Sequence, residues 1–264
     1  MPIPGRRKVE FPFLYSKEGR LVHLIAELND EPGALGSLFA VIGTKLSVIG
    51  STSYLSNGGK VICSAVGKIL SQSDTAETIQ KLAAMSHSVI TCQATEGNQG
   101  LLVDQFHRGL ETADGEPCLL IPTNVLVATF EEFVKAFGSG GETIIYGQGM
   151  NYAKARWELL KPNIPHPESR FDEIAAMVVA VGWAVVKIAY GADGKTLSCV
   201  NTECFECSGR TGARRRCNFL RGMAVGLAEG VFGRTMIGEE TRCMQKGDAA
   251  CEFVIRAKDG QPLV

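Results

Sequence analysis

Charge of one sign is missing from this chain: 27 Lys and Arg stand against 28 Asp and Glu, a formal net of −1. So neutral a chain has no field with which to grip a phosphate backbone regardless of sequence, which excludes direct nucleic-acid binding of that kind. The basic run Arg214, Arg215, Arg216 is read as a solvated helix entrance. Long apolar runs are missing too. The longest uncharged apolar run, residues 174–186, includes Gly182 and falls short of the roughly 20 residues that cross a bilayer. With no secretory signal at its start and nine cysteines, the chain is expected in the reducing cytoplasm, where thiols ligate metal or fill core. No Gly-x-Gly-x-x-Gly follows a strand, so no dinucleotide carrier is indicated, and the glycines at 138, 140 and 141 lack that spacing. None of the four histidines, His23, His87, His107 and His166, falls beside a serine or cysteine nucleophile in a known signature. No helix-turn-helix or ATPase motif occurs, so any transcriptional output passes through a partner. Repeats and low-complexity runs are absent. What survives these exclusions is a binding protein rather than a catalyst.

What is present suits two domains. The chain has 264 residues, 45% apolar and 21% charged, enough for two cores. Residues 1–19 read as an arm, with a strand expected at 9–15. From Leu21 the pattern sharpens. Strands at 21–28, 47–55, 60–69 and 87–95 alternate with helices at 35–46 and 75–85. Asn57-Gly58-Gly59 marks a hairpin, and Asp74 is the expected cap of the second helix. The order β-α-β-β-α-β is the ferredoxin-like arrangement, here over residues 20–96. The turn between the first strand and helix reads Asn29, Asp30, Glu31, Pro32, Gly33, Ala34, Leu35. Pro32 and Gly33 shape a tight entry, and the helix start beyond offers free amides to a carboxylate. Capping by Asp30 alone explains the same residues.

That Asp-x-Pro-Gly-x-Leu turn, with this element order, resembles the ACT domain. The resemblance implies a regulatory module that binds an amino acid at Asn29, Asp30, Pro32, Gly33, Ala34 and Leu35, or that serves to form a homodimer.

Residues 97–100 are polar and glycine-rich and are taken as the linker. The second domain, 101–264, opens with a short strand at 118–121. Helices are expected at 122–138, 144–160 and 171–181, and strands at 183–190 and 195–204 around Gly191-Ala192-Asp193-Gly194. Apolar residues then recur at helical spacing from Cys217 to Val231, ending near Gly233. Two last runs, 235–246 and 249–257, pivot on Gly247-Asp248 as a hairpin. The sum is an α+β domain with a four-stranded antiparallel sheet and a helical layer.

In that hairpin Cys243 and Cys251 stand equally far from Gly247, so they face each other across it. Glu240 lies earlier on the same strand and Cys217 at the helix start. Three thiolates and a carboxylate make a tetrahedral zinc site a candidate; a disulfide or buried free thiols fit the spacing as well. The pattern Cys217-x22-Glu240-x2-Cys243-x7-Cys251, the Leu-Arg-Gly-x3-Gly helix after Cys217 and the Lys-Gly-Asp-x2-Cys-x-Phe ending resemble the 4-vinyl reductase domain family. This family includes zinc-containing sensor domains of phenol-responsive activators and is similar in fold to TRAPP-type subunits. The resemblance covers roughly residues 100–256, with its specific motifs after Cys199. It implies a structural zinc on Cys217, Glu240, Cys243 and Cys251, and a pocket for a hydrophobic or aromatic ligand. Candidate walls are Phe130, Phe133, Phe137, Tyr146, Trp157 and Trp183. The stripe Gly222, Gly226, Gly230 either admits another backbone or borders that space; the resemblance tips the expectation to the pocket, with Gly222 and Gly226 among its walls. Cys204 and Cys207 are read as structural cysteines, because residues three apart on a strand point to opposite faces; Cys207 is placed behind the ligands. The function implied is a sensor or regulator. A component of tetrapyrrole vinyl-group reduction and a ligand-free scaffold are the alternatives.

Overall fold

The computed structural model describes residues 13–17, 19–56, 58–107, 110–111, 116–207 and 217–263. Most of the expected arm, Asn57 and Arg214 to Arg216 lie outside them. The chain divides into two compact units between Leu119 and Leu120.

In the first unit, strands β1 (Phe13–Tyr15), β2 (Leu21–Asn29), β3 (Leu46–Leu55), β4 (Lys60–Ile69), β5 (Val89–Glu96) and β6 (Leu101–Val103) accompany helices α1 (Ala34–Ile42) and α2 (Ala76–Ala84). Four strands form an antiparallel sheet in the order β3-β4-β2-β5, so the β-α-β-β-α-β reading holds. Strand alternation decides what each face of β2 does. Val22, Leu24, Ala26 and Leu28 meet Leu38, Ile42, Ile79 and Ala83 under the helices. Leu21 points the other way and packs with Val66 and Leu102, with Leu14 against them. That second face is covered because β6 pairs antiparallel with β1. Residues 97–100 therefore make a tight turn inside this unit: the Gly97 amide donates to Leu21 O and the Ser16 amide to Gly100 O. A further short pair, β7 (Leu110–Glu111) with β8 (Pro117–Cys118), closes the unit. Pairing stops at Cys118, so the strand expected through Ile121 is not formed, and Leu119, Leu120 and Ile121 are exposed.

Both helix starts differ from expectation. Thr75, not Asp74, caps α2, in a reciprocal capping box with Thr78; Asp74 instead pairs with Lys45 at 2.6 Å. The N-cap of α1 is Gly33, at φ 87° with no side-chain cap. A left-handed residue is needed there, which glycine adopts freely, so Asp30 is not a cap.

The second unit holds α3 (Thr123–Phe137), α4 (Ser139–Leu160), α5 (Phe171–Ala180), β9 (Val186–Tyr190), β10 (Thr196–Asn201), α6 (Asn218–Phe232), β11 (Met236–Arg242) and β12 (Cys251–Ala257). Its sheet runs β11-β12-β10-β9, all antiparallel. Helix α4 begins five residues before the expected Ile144, directly after Gly138 (φ 56°) breaks it from α3. Of the glycines at 138, 140 and 141, Gly141 serves close contact: a Cβ there would sit 2.3 Å from Phe133 O. Helix α6 matches its expectation and stops at Gly233, φ 65°.

The glycine stripe of α6 is resolved as a helix seam. A Cβ on Gly222 would lie 2.1 Å from Tyr146 O, and one on Gly226 2.4 Å from Met150 O; Gly230 faces the Trp157 ring. From the other side Gly149 of α4 faces Phe219 O at 2.0 Å. The stripe thus admits another backbone, and none of its three glycines is a wall of this unit's apolar cavity, which corrects the expectation that Gly222 and Gly226 line that pocket. Among the described residues no helix is long and apolar enough to cross a membrane.

Candidate metal centre and apolar cavity

Three pieces of the second unit converge on one buried point. After Asn201 the chain leaves β10 in a turn closed by the Cys207 amide donating to Cys204 O (3.1 Å). Cys217 is the N-cap of α6. Cys243 and Cys251 stand at the mouth of the β11–β12 hairpin, just beyond the last register pair Arg242↔Glu252. This is the facing arrangement expected from Gly247, which takes φ 95° at the end of a short 3₁₀ turn, Met244–Lys246. The Asp248 carboxylate ties the turn by accepting from the Cys243 amide at 2.8 Å.

Five buried sulfurs result. Cys217 Sγ lies 3.5 Å from Cys204, 3.2 Å from Cys207, 3.6 Å from Cys251 and 4.0 Å from Cys243. Cys207 Sγ lies 3.5 Å from Cys251 and 3.8 Å from Cys243. A tetrahedron of bonds of ~2.3 Å to zinc has edges of roughly 3.8 Å, so these separations suit one ion held by thiolates. Cys204, Cys207, Cys217 and Cys251 form a group able to hold a metal, and Cys217, Glu240 and Cys243 form a second that shares Cys217. The turn explains why both sulfurs of Cys-x-x-Cys reach the cluster. The alternation that sets residues three apart on opposite faces ends with the strand at Asn201, so Cys207 lies by the other sulfurs as expected, and Cys204, expected only as a structural cysteine, joins them. The Cys-x-x-Cys spacing was itself the signal.

Thiols this close share protons. The Cys204 thiol raises that of Cys217, while the same crowding, led by Cys204 and by Cys217 respectively, pulls Cys251 and Cys243 toward thiolate. The Met244 amide donates to Cys251 Sγ at 3.4 Å, which favours the anion there. Two carboxylates flank the sulfurs. Glu206, between the two cysteines of the turn, accepts from the amides of Phe219 (3.2 Å) and Leu220 (2.8 Å) and so supplies the cap that α6 otherwise lacks. Burial pushes its carboxyl up to about 8, against those two amides. Glu240 accepts from the Cys217 amide through Oε1 at 3.0 Å. Its Oε2 is buried with no partner among the described residues. A buried carboxylate oxygen left bare is costly, and a cation beside the sulfurs answers it.

Beside this centre lies an apolar cavity of about 240 Å³. Its walls come from α4 (Tyr152, Trp157), α5 (Ile174, Met177, Val178), Trp183, the sheet (Val186, Cys199, Phe253) and α6 (Met223, Ala224, Leu227), with Arg156 and Asn201 as polar members. Trp157 and Trp183 are thus brought together on one space. Phe130 stacks on Phe219 (5.5 Å), Phe133 on Phe137 (6.3 Å), and Tyr146 lies beneath the Arg221 guanidinium (5.0 Å). These three stand apart from the cavity walls, which reasoning from aromatic content alone did not separate. Tyr152 was the missed wall: its hydroxyl accepts from Trp183 Nε1 at 3.2 Å. In the first unit, Asn29, Asp30, Pro32 and Gly33 are exposed at the head of α1, Leu35 is half-buried and Ala34 is core. Glu31 accepts from Ser88 Oγ at 2.7 Å.

Comparison with known proteins gives a family match and several structural likenesses. The family model of the 4-vinyl reductase domain matches residues 200–257. The phenol-responsive sensory domain of the transcription activator PoxR, solved with phenol, is 18% identical; the alignment covers 55% of this chain and 81% of that one, with a TM-score of 0.47. A vinyl-4-reductase family protein from Methanocaldococcus jannaschii is 15% identical over 53% of this chain and 83% of its own, TM-score 0.39. The ACT domain of a GTP pyrophosphokinase from Chlorobium tepidum is 14% identical over 28% of this chain and 96% of its own, TM-score 0.25. No curated protein sequence matches.

Proposed function

From a chain whose residues 200–257 match the 4-vinyl reductase domain, we propose a non-catalytic sensor that takes a small aromatic molecule into the cavity of its second unit, beside a structural zinc. The observation that carries this reading is the cavity. At about 240 Å³ it exceeds the roughly 150 Å³ in which an apolar site takes up benzene. Its lining is apolar with a few polar groups, the usual make-up of a ligand site. Trp157, one of its walls, has a buried Nε1 with no hydrogen-bond partner among the described residues. That edge of the indole packs against Gly230 of α6, so Trp157 offers the cavity its apolar ring surface. A tetrapyrrole macrocycle is several times larger than benzene and overfills the space, so the vinyl-reduction alternative gains nothing from the geometry.

We assign zinc to Cys217, Glu240, Cys243 and Cys251, a set that draws on both overlapping groups, since Cys251 falls with Cys204 and Cys207 and Glu240 with Cys243. The bare Glu240 Oε2 favours this set, because four thiolates alone would leave that oxygen unexplained. When bound, the ion supplies folding free energy rather than a reactive water, since all four positions come from the protein. The ACT-like first unit is assigned to amino-acid binding at the turn from Asn29 to Leu35, or to homodimer formation, in a cytoplasmic protein.

Native mass spectrometry and thermal unfolding with phenol and related aromatics test the sensor reading. Phenol should raise the melting temperature of the wild type, and Ala224→Phe, which fills the cavity, should abolish the rise while retaining zinc. A panel of small aromatics that leaves both proteins unmoved, with only zinc in the native mass, would sink it. The same spectra report dimer mass, and a parallel panel of amino acids reports on the first unit.

A further inference from the structure

The outer face of the first unit's sheet, away from its helices, carries a second cluster of metal-binding groups. His23 is buried at the centre of β2. The segment after β6 folds across it and brings Asp104 and His107 to the ring. His23 Nδ1 lies 3.7 Å from Asp104 Oδ1, and His107 Nδ1 lies 2.7 Å from Asp104 Oδ2. One donor atom from each of the three falls within 4.8 Å of the others.

We propose that His23, Asp104 and His107 form a second metal site, taking a divalent transition ion such as zinc, cobalt or nickel through two imidazoles and one carboxylate.

Three observations carry it. First, the His23 ring is fixed from behind. Its Nε2 lies 2.7 Å from Ser64 Oγ, and Phe106 meets the ring edge-on at 4.9 Å. With Nε2–H donating to the serine hydroxyl, the lone pair of Nδ1 is turned toward Asp104, the arrangement by which a hydrogen-bonding neighbour selects the ligating nitrogen. Second, the carboxylate is held in place by the amides of Phe106 (2.8 Å) and His107 (3.1 Å), both donating to Oδ1. Third, 3.7 Å from Nδ1 to Oδ1 is too long for a hydrogen bond. Yet it is close to the ~3.4 Å edge of a tetrahedron with bonds of about 2.1 Å. With Nε2–H on Ser64, that lone pair would be repelled by the carboxylate, and an ion between them would be attracted to both. Two imidazoles and a carboxylate suit zinc, cobalt, nickel and ferrous iron better than calcium or magnesium. Asp104 and His107 are partly open to solvent, with 20% and 27% of their side chains exposed, while His23 is enclosed at 3%. The ion can therefore enter from outside, and water completes its coordination. Bound there, it would pin residues 104–107 to the sheet that β1 and β6 already cover.

Cobalt(II) distinguishes this site from the cysteines, because thiolate ligation gives an intense near-ultraviolet charge-transfer band and nitrogen–oxygen ligation does not. Full-length protein, stripped of metal under reducing conditions, is titrated with Co²⁺ and its metal content counted by elemental analysis. Two equivalents are expected, one with the thiolate band and one with weak visible bands only. His107→Ala and, independently, Asp104→Asn should lose the second equivalent and keep the thiolate band, which also shows that the second unit stays folded; circular dichroism confirms the first. His23→Gln should do the same. Should the cysteines take no metal, one band-free equivalent remains and vanishes in these variants, so failure of the zinc assignment does not mask the result. Variants that bind as much cobalt as wild type, or a wild type saturating at one equivalent with the full thiolate band, overturn the proposal.

Discussion

At the residue scale the decisive atom is Glu240 Oε2. Five sulfurs and one carboxylate fall into two overlapping groups that share Cys217, and zinc needs only four donors. Cys217→Ser is therefore expected to release zinc under either choice. Glu240→Gln keeps the shape but removes the anion, and it should weaken zinc binding at least tenfold. Cys204→Ser should retain one zinc per chain. Competition with a chromophoric chelator measures all three. Zinc lost from Cys204→Ser and kept by Glu240→Gln would move the ion onto the four thiols Cys204, Cys207, Cys217 and Cys251. The sequence made the hairpin pair legible, because Gly247 fixes what faces what. It did not reveal that the turn at residues 202–207 delivers two more sulfurs, since that depends on where β10 stops. The strand stops where Asn201 turns its amide onto the carbonyls of Cys199 (3.3 Å) and Cys251 (3.5 Å).

At the element scale the α4–α6 seam governs. Glycine in a helix interior costs about 1 kcal/mol relative to alanine, so the glycines of these two helices must be repaid by close approach or not at all. Gly149 and Gly226 are repaid: backbone oxygens stand 2.0 and 2.4 Å from where a Cβ would sit. Gly147 is not, having open space around it. Gly149→Ala and Gly226→Ala should each destabilise the protein by about 1–3 kcal/mol through overpacking. Gly147→Ala should stabilise it by roughly 0.5–1 kcal/mol. Urea unfolding monitored by circular dichroism checks the signs. Three identical losses would show the seam to be slack, and three gains would show it to be absent. Spacing alone could not sort these glycines, because periodicity locates a stripe but not what lies opposite. For the same reason the aromatics of α3 and α4 read as one pocket wall, whereas contact separates Phe130, Phe133 and Tyr146 from Trp157.

For the whole molecule, element order was the legible part. Alternation on β2 and the three hairpin turns were enough to place the strands of both sheets, and each unit has its own apolar core. The limit of the first unit was less legible. Glycine-rich residues 97–100 carry the composition of a linker, yet they turn the chain so that β6 returns to β1 and covers Leu21. Tertiary burial set that boundary, and composition does not register it. The histidines illustrate the same point: His23 and His107 are far apart in sequence and offered no motif, but this return brings them together.

Asn201 gives the second unit one more property. Its side chain belongs to the cavity wall and also donates to the carbonyl of Cys251. On the proposed reading, an occupant of the cavity and an ion at the sulfurs would both bear on this residue, and their equilibria would be coupled. Thermodynamic reciprocity then requires that whatever factor zinc contributes to aromatic affinity, the aromatic contributes to zinc affinity. Chelator competition should show zinc released more slowly and bound more tightly at saturating phenol, and calorimetry should find phenol binding weakened by the same factor once zinc is removed. Asn201→Ala should shrink that factor toward one while leaving the zinc count at one per chain. Under the proposed function, such coupling would make the response to an aromatic compound depend on the zinc supply.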